Sequence, residues 1–157
     1  MSNVTTSITI DAPPSQVWGV LADFANIHKW SPVVSHSAAD NDIACGVGSS
    51  RTCSIPLMGS ITERATAWVE GERIEIAVQG APIIREMTSV WEVSAVGAGT
   101  RVTAQIDYRA GWGPLGILMA PTAMRLMMSR QLRRSLQGLK AYVEMARIQT
   151  LQGESKS

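Results

Sequence analysis

The chain has 157 residues, of which 45% are hydrophobic and 17% charged, and its formal net charge at pH 7 is +1. This length predicts a single domain with one hydrophobic core, and the apolar content excludes an intrinsically disordered chain. The small net charge excludes binding to nucleic acid or to an anionic membrane surface that overall electrostatic attraction would drive.

Targeting and membrane signals are weak throughout the chain. The longest apolar run, residues 116–121, is far too short to span a bilayer. The N-terminal residues lack the charged and apolar regions of a secretory signal. The two cysteines, Cys45 and Cys53, do not form a disulfide framework. We therefore predict a cytoplasmic protein with reduced thiols and no integral membrane insertion.

The first part of the chain predicts one strand followed by two short helices. The strand is indicated by one face of alternating residues, Val4, Thr6, Ile8 and Ile10. Pro13 and Pro14 then suit a helix start, because proline is tolerated in the first turn. Apolar residues follow at helical spacing: Val17, Val20, Leu21 and Phe24. A second short helix is predicted over Phe24 to Lys29, and Pro32 ends it.

The middle of the chain predicts an antiparallel meander built from three hairpins. The first joins 51–55 to 59–69, which pairs Arg51 with Glu63 and Cys53 with Ile61. In each hairpin mostly apolar residues meet on one face, as a sheet with one buried side requires.

The second and third hairpins follow the same logic. In the second, a two-residue turn at Gly71-Glu72 pairs Val69 with Ile74, Ala67 with Ile76 and Ala65 with Val78. This register places Trp68 on the outer face. The third hairpin turns around residues 96–99, and its predicted pairs are Val93 with Val102, Trp91 with Ala104, Ser89 with Ile106, and Met87 with Tyr108.

The end of the chain predicts one long amphipathic helix from Thr122 to Arg147. Its apolar stripe consists of Met124, Met128, Leu132, Leu136, Leu139 and Val143. Methionine side chains are flexible and polarisable, so this helix is a plausible wall for an adaptable apolar pocket. The tail from Gln149 to Ser157 is polar, and we expect it to be frayed.

This order of elements predicts an α+β fold, in which a curved antiparallel sheet of about six to seven strands wraps around the C-terminal helix. Segments spread over nearly the whole chain resemble the START-like, Bet v 1-like (SRPBCC) superfamily in its polyketide cyclase/dehydrase branch. These segments are Ile10–Trp18, Phe24–Pro32, Gly46–Arg51, Ile61–Arg64, Gly99–Thr103 and Leu136–Lys140. The resemblance implies a helix-grip fold with a cavity between sheet and helix, formed by residues 1–148 and followed by a tail of residues 149–157. It fixes no reaction, because the superfamily contains lipid carriers, hormone receptors and cyclases.

Arg51 and Glu63 are the leading candidates for polar function, because the predicted register sets them opposite each other on the face that holds Cys53. They could orient a ligand in an apolar cavity, with Glu63 acting as a general acid or base if burial raised its pKa. The alternative interpretation is an ordinary cross-strand ion pair near a sheet edge, of small energetic value. Tyr108 and His28 are the further catalytic candidates, although His28 also fits a surface position and no serine or cysteine has an evident histidine partner.

The predicted ligand-binding residues combine the inner sheet face with the helix. They are Trp30, Arg51, Cys53, Glu63, Met87, Trp91, Tyr108, Met119, Met124, Met127 and Met128. The aromatic and methionine residues among them would serve a hydrophobic core equally well. The histidines and cysteines lack metal-ligand spacing, and we expect neither a metal nor a cofactor.

Three functions are compatible with these patterns. The leading hypothesis is binding of a small hydrophobic molecule, either lipid-like or aromatic and polyketide-like. The alternative is an enzyme of the polyketide cyclase/dehydrase type that uses Arg51 and Glu63 with Tyr108 or His28. A protein-interaction role is the third. The sequence leaves the oligomeric state open, and a homodimer is one option.

Overall fold

A computed structural model of the chain describes residues 1–56, 58–111 and 121–156. Seven strands form one antiparallel sheet in the order β1-β7-β6-β5-β4-β3-β2. The elements in chain order are β1 (Ser2–Ile10), α1 (Pro14–Ala22), a 3₁₀ helix (Phe24–Lys29), β2 (His36–Ala39), β3 (Ser50–Ile55), β4 (Gly59–Val69), β5 (Arg73–Gln79), β6 (Ile84–Val96), β7 (Gly99–Ala110) and α2 (Pro121–Ser155). The predicted α+β architecture is therefore confirmed.

The two short helices carry the chain across the sheet. β1 lies at one edge and pairs with β7, while β2 lies at the opposite edge. After β2 the strands return as a meander, each pairing with the next along the chain. Helix α2 then lies across the inner face of the sheet, where its apolar stripe is buried.

The predicted stripe of α2 is confirmed. Its six residues are Met124, Met128, Leu132, Leu136, Leu139 and Val143, and each is at most 3% exposed. Full burial of an apolar side chain of this size stabilises a fold by about 1.5–3 kcal/mol. The stripe is therefore a main source of the attraction between helix and sheet.

The predicted helix end at Arg147 and the predicted frayed tail are wrong, because α2 continues to Ser155. The sequence after residue 147 contains no proline, and its glutamine and leucine residues favour helix. Residues 149–156 are exposed, so their polarity reflects contact with solvent and not the end of the helix. The division into a ligand-binding domain of residues 1–148 and a tail of residues 149–157 remains a prediction. No helix among the described residues has the length and apolar character needed to span a membrane.

Two of the three predicted hairpin registers are confirmed. Arg51 pairs with Glu63 and Cys53 with Ile61 in the first hairpin. In the third hairpin all four predicted pairs are present, including Met87 with Tyr108. The side chains that the predictions placed together on the inner sheet face therefore do lie there.

The predicted register of the second hairpin is wrong. Trp68 pairs with Ile74 and Val69 with Arg73, because the turn spans residues 70–72 and is one residue longer than predicted. A bulge between Ala65 and Ala67 then shifts the register once more, so that Ala65 pairs with Ile76. The extra residue in one strand reverses the faces that follow it, as a bulge does. Trp68 consequently shares the inner face with Ile74, which is 2% exposed. Its predicted outward position is a consequence of the missed bulge.

Glu70 holds Trp68 and α1 together at the end of β4. Its two carboxylate oxygens accept hydrogen bonds from Trp68 Nε1 and Trp18 Nε1, each at 2.8 Å. The two indole rings contact edge to face, with centroids 5.7 Å apart. The indole donors lower the pKa of Glu70 below its ordinary value, Trp68 having the larger effect. A single carboxylate therefore attaches α1 to the β4–β5 turn.

At Gly138 the backbone of α2 closely approaches the turn that follows the 3₁₀ helix. A Cβ atom at this position would overlap the backbone carbonyl oxygen of Trp30 and would lie 2.6 Å from Cδ of Pro32. One turn earlier in the helix, Ser135 Oγ is hydrogen-bonded to Ser31 Oγ at 2.9 Å. The absent side chain at Gly138 thus permits the close approach that sets the distance between α2 and this turn.

Candidate ligand site

A cavity of about 80 Å³ lies between the inner sheet face and α2. Strands β3 to β7, the segment 31–34 and the middle of α2 contribute its walls. Its apolar lining includes Ile61, Val78, Met87, Trp91, Ile106 and Leu132. Its polar lining consists of Ser31, Arg51, Glu63, Ser89, Gln131 and Ser135. A mostly apolar enclosure with a few polar groups is the usual composition of a small-molecule site.

Arg51 and Glu63 form a buried ion pair on the strand side of this cavity. Arg51 Nε donates to Glu63 Oε2 at 2.5 Å, and the two side chains are 5% and 14% exposed. The register of β3 and β4 sets the two residues directly opposite each other. An exposed cross-strand pair would contribute little, whereas removing one partner of a buried pair costs about 3–5 kcal/mol. The pair is therefore an integral part of the inner face.

Phe24 holds the Arg51 guanidinium from a second side. Arg51 Nη1 donates to the Phe24 carbonyl oxygen at 2.6 Å. The guanidinium carbon also lies 3.9 Å from the centroid of the Phe24 ring, in cation–π geometry. The side chain is thus fixed by a carboxylate, a carbonyl and an aromatic face. Its orientation toward the cavity is set before any ligand enters.

Cys53 lies beside the pair and is a hydrogen-bond donor to it. Its Sγ is 3.5 Å from Glu63 Oε2, and the residue is fully buried. Burial, with the Glu63 carboxylate as the next contribution, raises the pKa of the thiol to about 12. The thiol is therefore protonated at neutral pH, and a protonated, buried thiol is a poor nucleophile.

The predicted aromatic residues occupy two layers. Trp91 lines the cavity, and its Nε1 donates to Ser89 Oγ at 2.9 Å. Trp30 packs edge to face against Trp91, with ring centroids 5.7 Å apart, and lines a smaller void of about 10 Å³ that Arg51 also borders. Met87 lines the main cavity as well. The structure thus brings Arg51, Glu63, Met87 and Trp91 together, with Trp30 behind them.

The predicted methionines of the helix lie mainly in the core. Met124 and Met128 are buried, and Met127 is partly buried against the core. Among the described residues of α2, those that line the cavity are Gln131, Leu132 and Ser135. Met119 lies outside the described residues.

Four polar residues of the lining, Ser31, Ser89, Gln131 and Ser135, were not among the predicted site residues. Ser31 and Ser135 are hydrogen-bonded across the gap between the 3₁₀ helix and α2. Gln131 Nε2 lies 3.8 Å from Met58 Sδ, a weak hydrogen bond. Gln131 and Ser135 are four residues apart and flank the apolar stripe of the helix. That spacing was the available signal, because polar residues beside a buried stripe often face a cavity.

Tyr108 and His28 lie away from the cavity lining. Tyr108 is 2% exposed on the inner sheet face. His28 is exposed, and its backbone N–H and Nδ1 contact Ser37 Oγ at 3.2 and 2.6 Å. Ser37 is therefore a serine partner of a histidine that the sequence did not reveal. Its hydroxyl donates to the Ala25 carbonyl at 2.8 Å, which makes the cluster a structural link and not a nucleophile.

In the part of the chain that the structure describes, no group of three or more histidine, cysteine or acidic side chains could hold a metal ion. The polar groups that line the cavity are its ion pair, its hydroxyl groups and one amide.

Comparison with known proteins places this geometry in a family. Residues 1–144 match the profile of the family described as polyketide cyclase / dehydrase and lipid transport. No curated protein sequence matches the chain.

Several solved structures share the fold. The Zhui aromatase/cyclase from Streptomyces sp. R1128 superposes with a TM-score of 0.76 at 20% identity, covering 91% of this chain and 93% of that one. A START superfamily protein from Mycobacterium smegmatis superposes with a TM-score of 0.75 at 14% identity, covering 92% and 98% of the two chains. Ara h 8.0201 gives a TM-score of 0.71 at 12% identity, covering 92% and 98%. The fold is thus the helix-grip fold of START and Bet v 1-like proteins, and the chain belongs to the polyketide cyclase / dehydrase and lipid transport family.

Proposed function

We propose that the protein binds a small hydrophobic molecule in the cavity between the sheet and α2. The observation that carries this proposal is an apolar cavity whose wall holds one preoriented ion pair, Arg51 and Glu63. Such a combination favours a ligand with an apolar body and one polar group. Cytoplasmic location and the absence of a nucleic-acid partner belong to the same proposal.

The cavity volume limits the size of this ligand. Space for one water molecule requires about 10–15 Å³ on a comparable measure. A volume of about 80 Å³ therefore accommodates a single ring or a short chain. A ligand of lipid or polyketide size requires this cavity to widen.

Native mass spectrometry of freshly expressed protein tests the proposal. We expect a non-covalent hydrophobic adduct that is released when the protein is unfolded. Met87→Ala removes a cavity-lining side chain and should reduce the retained adduct, whereas Met145→Ala, at an exposed position, should not. Absence of an adduct, together with failure to bind small cyclic molecules, would exclude the proposed function.

A cyclase-type enzyme is the second candidate, and the convergence of Arg51 and Glu63 at the cavity favours it. In this reaction the Arg51 guanidinium would stabilise the negative charge that develops on a carbonyl oxygen of the ligand. Glu63 would accept a proton from the carbon atom next to that carbonyl group. Participation of Tyr108 or His28 stays a prediction.

Proton exchange with solvent separates this enzyme from a simple carrier. Cyclohexanone in D₂O should exchange its α-protons faster with the protein than in buffer, as measured by NMR. The Glu63→Gln protein should lose this acceleration. No acceleration with the unaltered protein, although cyclohexanone binds, would leave the carrier as the function.

A further inference from the structure

The charges at the cavity are balanced. Arg51 and Glu63 are the charged residues that line it in the described part of the chain, and they are bonded to each other. The other polar lining groups are hydroxyls and one amide. A ligand therefore meets a site whose net charge is zero.

The pair nevertheless keeps unused hydrogen-bonding capacity. Arg51 bonds through Nε and Nη1, and both bonds to Glu63 go to Oε2. Arg51 Nη2 and Glu63 Oε1 have no hydrogen-bond partner among the described residues. Every side-chain nitrogen or oxygen that is fully buried in the described part of the chain does have a partner. These two atoms thus retain accessible surface in a buried pair. One is a donor and the other an acceptor.

Ser89 adds a further free donor. Its Oγ accepts from Trp91 Nε1, and its own hydrogen has no acceptor among the described residues. The cavity therefore presents donors from Arg51 and Ser89 and an acceptor from Glu63. This arrangement matches a hydroxyl group, which both donates and accepts, or a carbonyl group, which accepts.

A charged ligand fits this arrangement poorly. An anion bonded to Arg51 Nη2 would give the site a net negative charge, and a cation bonded to Glu63 Oε1 would give it a net positive charge. Uncompensated charge in a desolvated site is strongly unfavourable. Resting on the proposed function, we infer that the cavity selects uncharged ligands of about one ring that carry a hydroxyl or carbonyl group.

A set of similar small molecules tests this inference. Cyclohexanol and cyclohexanone carry the expected groups, cyclohexanecarboxylate and cyclohexylammonium carry charges, and methylcyclohexane is the apolar counterpart. Binding to the full chain at pH 7 is measured by tryptophan fluorescence, to which Trp91 at the cavity wall contributes, and by ligand-observed NMR. We expect the alcohol and the ketone to bind about tenfold or more tightly than the ions and the hydrocarbon.

Two variants change the charge balance in opposite directions. Glu63→Gln keeps the shape but leaves the Arg51 charge uncompensated, so binding of cyclohexanecarboxylate relative to cyclohexanol should rise about tenfold or more. Arg51→Met should raise the relative binding of cyclohexylammonium. Glu75→Gln is the matched control, because it removes a carboxylate from the partly exposed pair with Arg73 outside the cavity. A merely structural pair would not produce these opposite shifts.

The outcomes separate this inference from the proposed function. If methylcyclohexane or the carboxylate binds the unaltered protein as tightly as cyclohexanol, the ligand class is wrong while hydrophobic binding stands. If the Glu63→Gln protein shows no gain for the carboxylate, the charge-balance argument is also wrong. If none of the five molecules binds, the ligand class is wrong. The proposed function is overturned with it when native mass spectrometry also shows no hydrophobic adduct.

Discussion

Replacing Gly138 by alanine should destabilise the protein, although alanine is the better helix former. In a helix the change itself stabilises by about 0.5–1 kcal/mol. At Gly138, however, the new methyl group would overlap the backbone carbonyl oxygen of Trp30 and lie 2.6 Å from Pro32 Cδ, whereas carbon atoms pack at about 3.5–4.0 Å. Relieving an overlap of about 1 Å costs about 1–3 kcal/mol. Because the Trp30 carbonyl belongs to the backbone and cannot rotate away, the cost lies near the upper end of this range. The net result is a loss of about 2–2.5 kcal/mol.

The same substitution at Gly19 provides the matched control. Gly19 lies inside α1, and a Cβ there meets no atom within 4 Å. We therefore expect Gly19→Ala to stabilise the fold by up to about 1 kcal/mol. Urea denaturation followed by tryptophan fluorescence measures both free energies of unfolding. Equal stabilisation by the two substitutions would refute the close approach of α2 to the turn.

Three further predictions concern the buried polar groups. Because burial raises the pKa of Cys53 to about 12, iodoacetamide at pH 8 should alkylate Cys45 alone in the native protein and both thiols after unfolding. Peptide mass spectrometry measures the labelling, and equal labelling of the two cysteines in the native protein would contradict this prediction. The indole groups of Trp68 and Trp18 lower the pKa of Glu70. The stabilisation from these two hydrogen bonds is therefore present above the ordinary pKa of 4.5 and is lost as the pH falls through the folded-state pKa. Glu70→Gln should remove this pH dependence from the urea midpoint of unfolding. Arg51→Met should lower the free energy of unfolding by about 3 kcal/mol, because it leaves the buried Glu63 carboxylate without its counter-charge. The double variant with Glu63→Leu should recover most of that loss in urea denaturation. A double variant as unstable as the single one would show that the unpaired charge is not the cause.

Side-chain periodicity was sufficient for much of the fold and part of the site. Alternation in strands and the 3.6-residue repeat in helices fix side-chain directions locally. This is why the α2 stripe and the pairs Arg51–Glu63 and Met87–Tyr108 were predicted correctly. The second register failed because the turn is one residue longer than predicted and a bulge lies between Ala65 and Ala67, which together bring Trp68 to the inner face. A bulge of one extra residue carries no strong local signal.

Contacts between distant segments decided the remainder of the site. Arg51 is oriented by Phe24, 27 residues earlier, and Ser31 meets Ser135 across 104 residues. Neither contact produces a repeating pattern of residues in the sequence, because each depends on how α2 and the 3₁₀ helix pack over the sheet. The same packing leaves Met124 and Met128 in the core and sets Gln131 and Ser135 at the cavity.

The sequence by itself determined most of the elements, two hairpin registers and the pairing of an arginine with a glutamate on the buried face, since these follow from local geometry. It did not reveal the short edge strand β2 or the end of α2. Only the tertiary structure decided that this pair is desolvated and that the cavity beside it is small. Burial and cavity volume depend on the joint placement of β3, β4, α2 and the segment 31–34. The chemistry available to a ligand is a property of that joint placement.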